Sequence, residues 1–377
     1  MIVIGTNHHN SLSIIRCLGQ KGVQLDVILY GNNIDNNYVT CSKYVRNSHC
    51  FLTAEDAVNG LTKFYVKKGH KQSVITCSDE IASIMDYRYD ELNNYFNFFN
   101  CGKNGRLTHY MDKQVQVEVA KDSGITVPFS QVYKIGSQIP NNLVYPCIVK
   151  PLESIHGGKK IAVCKDFSSL LIVLKTYHDG DVVQIQQYIN GDFEIVVDGL
   201  SLETDIIIPG YIKKFRDLKG GTTYSESNSI SSLPYNIIAS IKTMVKKMQY
   251  VGLFGIELIV SQGTFYFVEI NLRNDATTYT LAKAGVNLPY IYYLAFTGYD
   301  YTKELAEIRN IRSMVEYRDF DFVLKRNISL WQWIQEKKNC DCLYFADVDD
   351  HIPAKKARKN YIKAKVTSLF RKLHILK

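Results

Sequence analysis

Gly255-Ile256-Glu257-Leu258-Ile259-Val260, the turn Ser261-Gln262-Gly263-Thr264, and Phe265-Tyr266-Phe267-Val268-Glu269-Ile270-Asn271-Leu272-Arg273 form the stretch on which the fold is decided. Two apolar runs joined by Gln262-Gly263 read as a β-hairpin. In the second strand, period-two alternation predicts Glu269, Asn271 and Arg273 on one face and Val268, Ile270 and Leu272 on the other. Across the turn, Glu257 is expected opposite Glu269 or its neighbour. Two carboxylates and an amide oxygen then converge where like charges repel unless a cation lies between them. All three are hard oxygen donors suited to Mg²⁺ bridging the phosphates of a nucleotide. The competing reading is a solvated polar face on an edge hairpin.

Upstream, Tyr145-Pro146-Cys147-Ile148-Val149-Lys150-Pro151 is a hydrophobic strand ending in a lysine before proline, which keeps the backbone extended and aims a point cation at phosphate oxygens. His156-Gly157-Gly158 follows in a loop whose glycines let backbone N–H groups approach an anion. Further strands are expected at 160–165, 182–189, 193–199 and 205–213, with helices at 167–177 and 234–250. Lys213-Lys214-Phe215-Arg216 and Gly220-Gly221-Thr222-Thr223 read as a mobile basic and glycine loop, or as an ordinary solvated hairpin. At the N-terminus, Val3-Ile4, the apolar-periodic Ser11–Gly19 and Val23–Leu29 make a βαβ opening. The pattern returns at Val74–Thr76. Asp79, just after that strand, stands where α/β sheets bind ligands, or is a helix cap.

The 377 residues are 46% hydrophobic and 22% charged, an ordinary globular balance, and long enough for two or three compact units. No basic n-region opens the chain and no apolar run nears the length of a membrane span. Nine scattered cysteines read as free thiols in a reducing cytoplasm. The net charge of +8 is local: nine Lys or Arg and no acid lie between Ala354 and Lys377, leaving the body near −1. That distribution argues against nucleic acid as a partner. From Ile362, the residues Val366, Leu369, Phe370, Leu373 and Leu376 follow helical spacing, so the tail is expected to be a basic amphipathic helix. It either lies on an anionic membrane or packs its stripe on the protein's own core.

Gly-x-Glu, nine residues, then Phe-Val-Glu-Ile-Asn-x-Arg resembles the metal-binding strand pair of the ATP-grasp superfamily, which includes biotin carboxylase, carbamoyl-phosphate synthetase and the D-alanine and D-aspartate ligases. Asp112-Lys113, opening a helix that ends at Gly124, resembles the start of that domain, and the Lys150 strand resembles its phosphate-holding strand. Gln184-Ile185-Gln186-Gln187-Tyr188-Ile189 resembles the adenine-binding linker, with Glu194 near the family's ribose-binding glutamate. The short Leu152–Lys159 loop departs from the longer glycine-rich loop of the carboxylases.

The resemblance implies an α/β half-Rossmann domain (1–105), an ATP-grasp small lobe (106–190) and large lobe with the metal site (191–300), a C-terminal extension (301–353) and the basic tail (354–377). It implies an ATP-dependent carboxylate–amine ligase, working through an acyl phosphate with ATP and Mg²⁺ or Mn²⁺ on small-molecule carboxylate and amine substrates. A role in surface-polysaccharide or envelope assembly and a homodimer remain open. Glu257, Glu269 and Asn271 would hold metal. Lys113, Lys150, His156, Gly157, Gly158, Gln186, Gln187, Ile189 and Glu194 would bind nucleotide, and Arg273, Lys214 and Arg216 would act in catalysis. The alternatives are a carboxyphosphate or carbamoyl-phosphate former and a nucleotide-binding regulatory module without turnover.

Overall fold

The computed structural model describes residues 1–32, 36–67, 69–151, 161–218 and 221–372. His156, Gly157 and Gly158 lie outside them. The opening βαβ grows into a five-stranded parallel sheet of β1 (Ile2–Thr6), β2 (Leu25–Tyr30), β3 (Val45–Phe51), β4 (Gln72–Thr76) and β5 (Phe96–Asn97), in the order β3-β2-β1-β4-β5. Its centre is covered on both faces, as a parallel sheet requires. Ile2 and Ile4 enter one apolar cluster and Val3 the other.

A four-stranded antiparallel sheet follows, β6 (Ser130–Lys134), β7 (Cys147–Pro151), β8 (Ala162–Cys164) and β9 (Val182–Gln187), in the order β6-β9-β7-β8. With the Phe167–Leu174 helix it has its own small core of Cys147, Val149, Leu170 and Ile185. The largest sheet holds β10 (Phe193–Ser201), β11 (Ile206–Leu218), β12 (Gly221–Ser229), β13 (Gly252–Ser261), β14 (Thr264–Asn271), β15 (Arg312–Met314) and β16 (Cys342–Leu343), in the order β14-β13-β10-β11-β12-β15-β16. The stretch expected as an extension thus supplies two outer strands of this sheet. The expected basic loop is mostly ladder: Lys213, Lys214, Arg216, Asp217 and Leu218 all pair with β12.

The hairpin that opened the argument is β13–β14. Gln262 and Gly263 both have positive φ (49° and 77°), as a two-residue turn of primed type demands. Glu257 lies directly opposite Glu269, and Gly255 opposite Asn271. One correction applies to the alternation. The register shifts between Glu257 and Leu258, which faces Phe267, so Val268 is an extra residue in a β-bulge and is exposed rather than sharing the buried face of Ile270 and Leu272.

The N-terminal domain is bolted to the rest. In the His9–Gly19 helix, Arg16 is fully buried and donates to the Asp350 carboxylate (3.0 Å) and to the carbonyls of Tyr344 (2.9 Å), Phe345 (3.1 Å) and Asp350 (2.8 Å). The chain closes in a helix, His351–Lys372. Ile362, Val366 and Phe370 of its expected apolar stripe are exposed, so these three side chains do not pack on the core; Leu373 and Leu376 lie outside the described residues. Among the described residues no helix is long and apolar enough to cross a membrane.

Candidate functional site

The carboxyl ends of β1 and β4 face the β13–β14 hairpin, and a cleft of about 430 Å³ opens between them. His8, Asn10, Lys214, Glu257, Glu269 and Arg273 are among the groups that line it. Gly255, opposite Asn271, is tightly packed. A Cβ there would sit 3.1 Å from Asp198 Oδ1 and 3.3 Å from Asp275 Cβ.

Two carboxylates face each other across β13 and β14, and cations gather round them. The Lys214 ammonium reaches Glu257 Oε2 at 2.6 Å, and Glu194 and Asp217 at 3.4 Å each. Burial alone would depress the Lys214 pKa; Glu257, Asp217 and Glu194 together push it above its ordinary value. Burial raises Glu257 to about 7, against the pull of Lys214 and with the help of Glu269. Lys113 Nζ stands 3.9 Å from Glu269 Oε2. Its place is set by the Lys113–Asp122 helix: Asp112 caps the N-terminus, accepting from the N–H groups of Gln114 and Val115, and Gln116 bridges to the N–H (3.1 Å) and carbonyl (2.9 Å) of Ile270. Lys150, from the small lobe, is lowered to about 8 by burial and by Lys113, with Glu269 opposing.

Arg273 links the two halves of the cleft. It donates to Asp79 (2.8 Å) and to the Asn271 side-chain oxygen (3.1 Å), and lies 3.9 Å from Asp275. The helix cap beside it is Ser78, accepting from the N–H of Ile81, so Asp79 is an ion-pair partner of Arg273 rather than the cap.

Two expectations change. Arg216 points away from the cleft: it grips Asp319 (2.9 and 2.8 Å) and Glu336 (2.6 Å), stacks on Tyr224 (4.3 Å), and so braces the C-terminal helices. The Gln186 side-chain oxygen accepts from Lys150 Nζ at 2.9 Å, so it is turned to the lysine rather than free for a base. Gln187 donates its N–H to the Phe129 carbonyl (2.7 Å) and Ile189 follows the end of β9, while Glu194 is drawn to Lys214.

Sequence reasoning passed over the loop after β1. His8 caps the next helix, its Nδ1 accepting from the N–H of Asn10 (3.3 Å), and burial followed by Arg318 and Arg273 lowers it to about 4. The neutral ring therefore carries its proton on Nε2. His9 is buried and also held neutral, its ring 3.8 Å from that of His8. The signal was present: a polar Asn7–Asn10 stretch at the end of the first strand of an α/β sheet. Asp198, fully buried in β10, gave no such signal. Burial and the neighbouring Asp275 hold it well above the usual carboxylate range.

The donor set fits Mg²⁺. Two opposed carboxylates with an amide oxygen alongside supply fewer ligands than the ion needs and leave the remainder to phosphates and water; the Lys214 ammonium on Glu257 shows that the position attracts a cation.

Residues 110–277 match the ATP-grasp domain. The carbamoyl phosphate synthase large chains of Lachnoclostridium phytofermentans and Clostridium acetobutylicum are each 27% identical, over 158 and 186 residues, covering 40% and 45% of this chain. The match spans only 15% and 16% of those proteins. Among solved structures, N5-carboxyaminoimidazole synthetase from Staphylococcus aureus aligns with a TM-score of 0.66 at 14% identity, covering 86% of this chain and 84% of that one. L-amino acid ligase from Bacillus licheniformis aligns at 0.59 and 14%, covering 82% and 78%. The biotin carboxylase domain of the Hydrogenobacter thermophilus 2-oxoglutarate carboxylase, a dimer solved with MgADP, ADP and bicarbonate, aligns at 0.62 and 16%, covering 82% and 73%. An ATP-grasp domain thus occupies residues 110–277, with a parallel α/β domain ahead of it and a helical C-terminus behind it.

Proposed function

We propose that the protein is an ATP- and Mg²⁺-dependent carboxylate–amine ligase. The observation that carries this reading is the Glu257–Glu269 pair, directly opposed on β13 and β14, with Asn271 one alternation further and Lys113 at 3.9 Å. Glu257, Glu269 and Asn271 hold the metal. ATP supplies the phosphoryl group that activates a substrate carboxylate as an acyl phosphate, which an amine then attacks.

The residues of the chain have little covalent work and act through position and charge. Lys113 and Lys150 neutralise nucleotide phosphates. Arg273, held by Asp79, stabilises the charge that develops on the transferred group, and Lys214 steadies Glu257 until the metal arrives. Gln187, Ile189 and Glu194 remain the proposed contacts for adenosine. A role in surface-polysaccharide or envelope assembly, with an amino acid as one substrate, belongs to the same proposal, on the resemblance to D-aspartate ligase and to ligases of surface-polysaccharide pathways. The test is a phosphate-release screen over amino acids and uronic acids with ATP and Mg²⁺. Release that requires both an acid and an amine supports the reading, and no release with any pair, in protein shown to bind ATP, overturns it.

The identity to carbamoyl phosphate synthase large chains favours a second reading, a carboxyphosphate former. Bicarbonate-dependent ADP release without an organic acid would select it.

A further inference from the structure

The closing helix holds to the protein by one side only. Ala357 is buried, Tyr361 stacks on Tyr317 with ring centroids 5.8 Å apart, and Asp321 accepts from the Tyr361 hydroxyl and pairs with Lys365 Nζ, both at 2.6 Å. The Tyr317 hydroxyl donates to the Ala354 carbonyl at 3.0 Å. These contacts advance together along both segments, so the Glu316–Leu324 helix runs parallel to the closing helix. At about 100° per residue, Ile362, Val366 and Phe370 fall within about 80° of one another, turned away from Ala357. They are 50%, 45% and 38% exposed. Lys355, Lys359 and Lys363 are interleaved on that side.

A second segment follows. Leu324 closes the parallel helix, one turn beyond Asp321. After the cations Lys325 and Arg326, Leu330 and Trp331 open the next helix, Leu330–Lys338. Leu324, Leu330 and Trp331 are 54%, 51% and 70% exposed. Large apolar side chains left in water on two adjacent helices, among cations and beside a segment with nine Lys or Arg and no acid, mark an interaction surface.

We propose that this surface docks the protein on the interface of an anionic lipid bilayer. Charge sets the sign of the partner, and the aliphatic residues distinguish a lipid surface from a nucleic acid or an acidic peptide, which would be held by the cations alone. On this face the three apolar side chains enter between headgroups while the lysines interleaved with them meet anionic lipid, and an exposed tryptophan suits the same depth. The inference does not rest on the ligase reading.

The full chain is mixed with vesicles of phosphatidylcholine, with and without phosphatidylglycerol, and followed by cosedimentation and tryptophan emission. Binding should be at least tenfold tighter to the anionic vesicles, and emission should shift to the blue. Lys355→Glu/Lys359→Glu/Lys363→Glu should lose tenfold or more in partitioning. Val366→Ser/Phe370→Ser should lose severalfold, with circular dichroism and nucleotide binding unchanged in both variants. Trp331→Phe should bind but lose the emission shift. No binding, equal binding to both vesicle types, or unchanged binding by the charge variant overturns the proposal. So does a serine variant that binds as well as the parent, because the attraction is then to any polyanion. A shift that survives Trp331→Phe removes the second segment from the surface.

Discussion

Glu269, a metal ligand in the proposed site, lies opposite Glu257 and has Lys113 3.9 Å away to balance it. Glu269→Gln keeps the shape and removes the charge, so kcat should fall roughly 100-fold or more while the thermal transition stays put. Unchanged kcat in folded protein would remove Glu269 from the metal site. Lys150 tests the nucleotide. Lys150→Ala should weaken ATP roughly 10- to 100-fold and adenosine hardly at all, since a charge-assisted contact to phosphate is what disappears; isothermal titration with both ligands decides it, and equal losses make the lysine structural. The raised pKa of Glu257, about 7, gives the metal a pH dependence with a definite sign. Below 7 the carboxyl is protonated and the ion must displace that proton, so Mg²⁺ affinity should climb by up to about tenfold per pH unit and level off above about 8. Mg²⁺ titrations at pH 6, 7 and 8 check it, and a flat profile would show that Glu257 is not a ligand.

At the scale of the element, the hairpin was legible because its turn, its alternation and its acids all sit within twenty residues of one another. The bulge was not, because one extra residue in a strand leaves the composition unchanged; Val268 is exposed only because β13 offers nothing opposite it. Strand β12 was missed for a different reason. Its sequence, Gly-Thr-Thr-Tyr-Ser-Glu-Ser-Asn-Ser, reads as loop, yet Thr223, Ser225 and Ser227 are buried. Their hydroxyls meet Asp319 (2.8 Å), Ser313 (2.8 Å) and the Arg309 carbonyl (2.8 Å), so the burial depends on partners some 80 to 100 residues away that no local pattern announces. Arg216 was misassigned because a basic residue two places after Lys214 was given the same job, whereas the irregular register after Lys214 turns it toward Asp319. A stability test follows. Arg216→Ala leaves the fully buried Asp319 without its main cation and should cost about 3–5 kcal/mol in denaturant unfolding, with the KM for ATP unaltered in the folded fraction. A raised KM at unchanged stability would return Arg216 to the active site.

Across the whole molecule, apolar packing runs without a break from the N-terminal domain through the large sheet, while the small lobe that carries Lys150 has a separate core. A lobe with a small core of its own opens at lower free energy than the body it is attached to. Amide hydrogen exchange should therefore be faster in β6–β9 than in β10 and β13, and Mg-nucleotide should slow the small lobe most; equal protection throughout would mean that the halves do not move separately. The clamp between Arg16 and Asp350 has a consequence for how the chain is made. The arginine is synthesised 334 residues before the aspartate. At ribosomal speeds that interval is roughly 20 to 70 seconds, during which the N-terminal domain holds an arginine whose final partners do not yet exist. Until then that helix face must stay hydrated or shielded, so the nascent domain reaches its native packing only when translation has passed position 350, and a ribosome stalled earlier presents the chaperone machinery with an exposed, cationic, half-apolar surface.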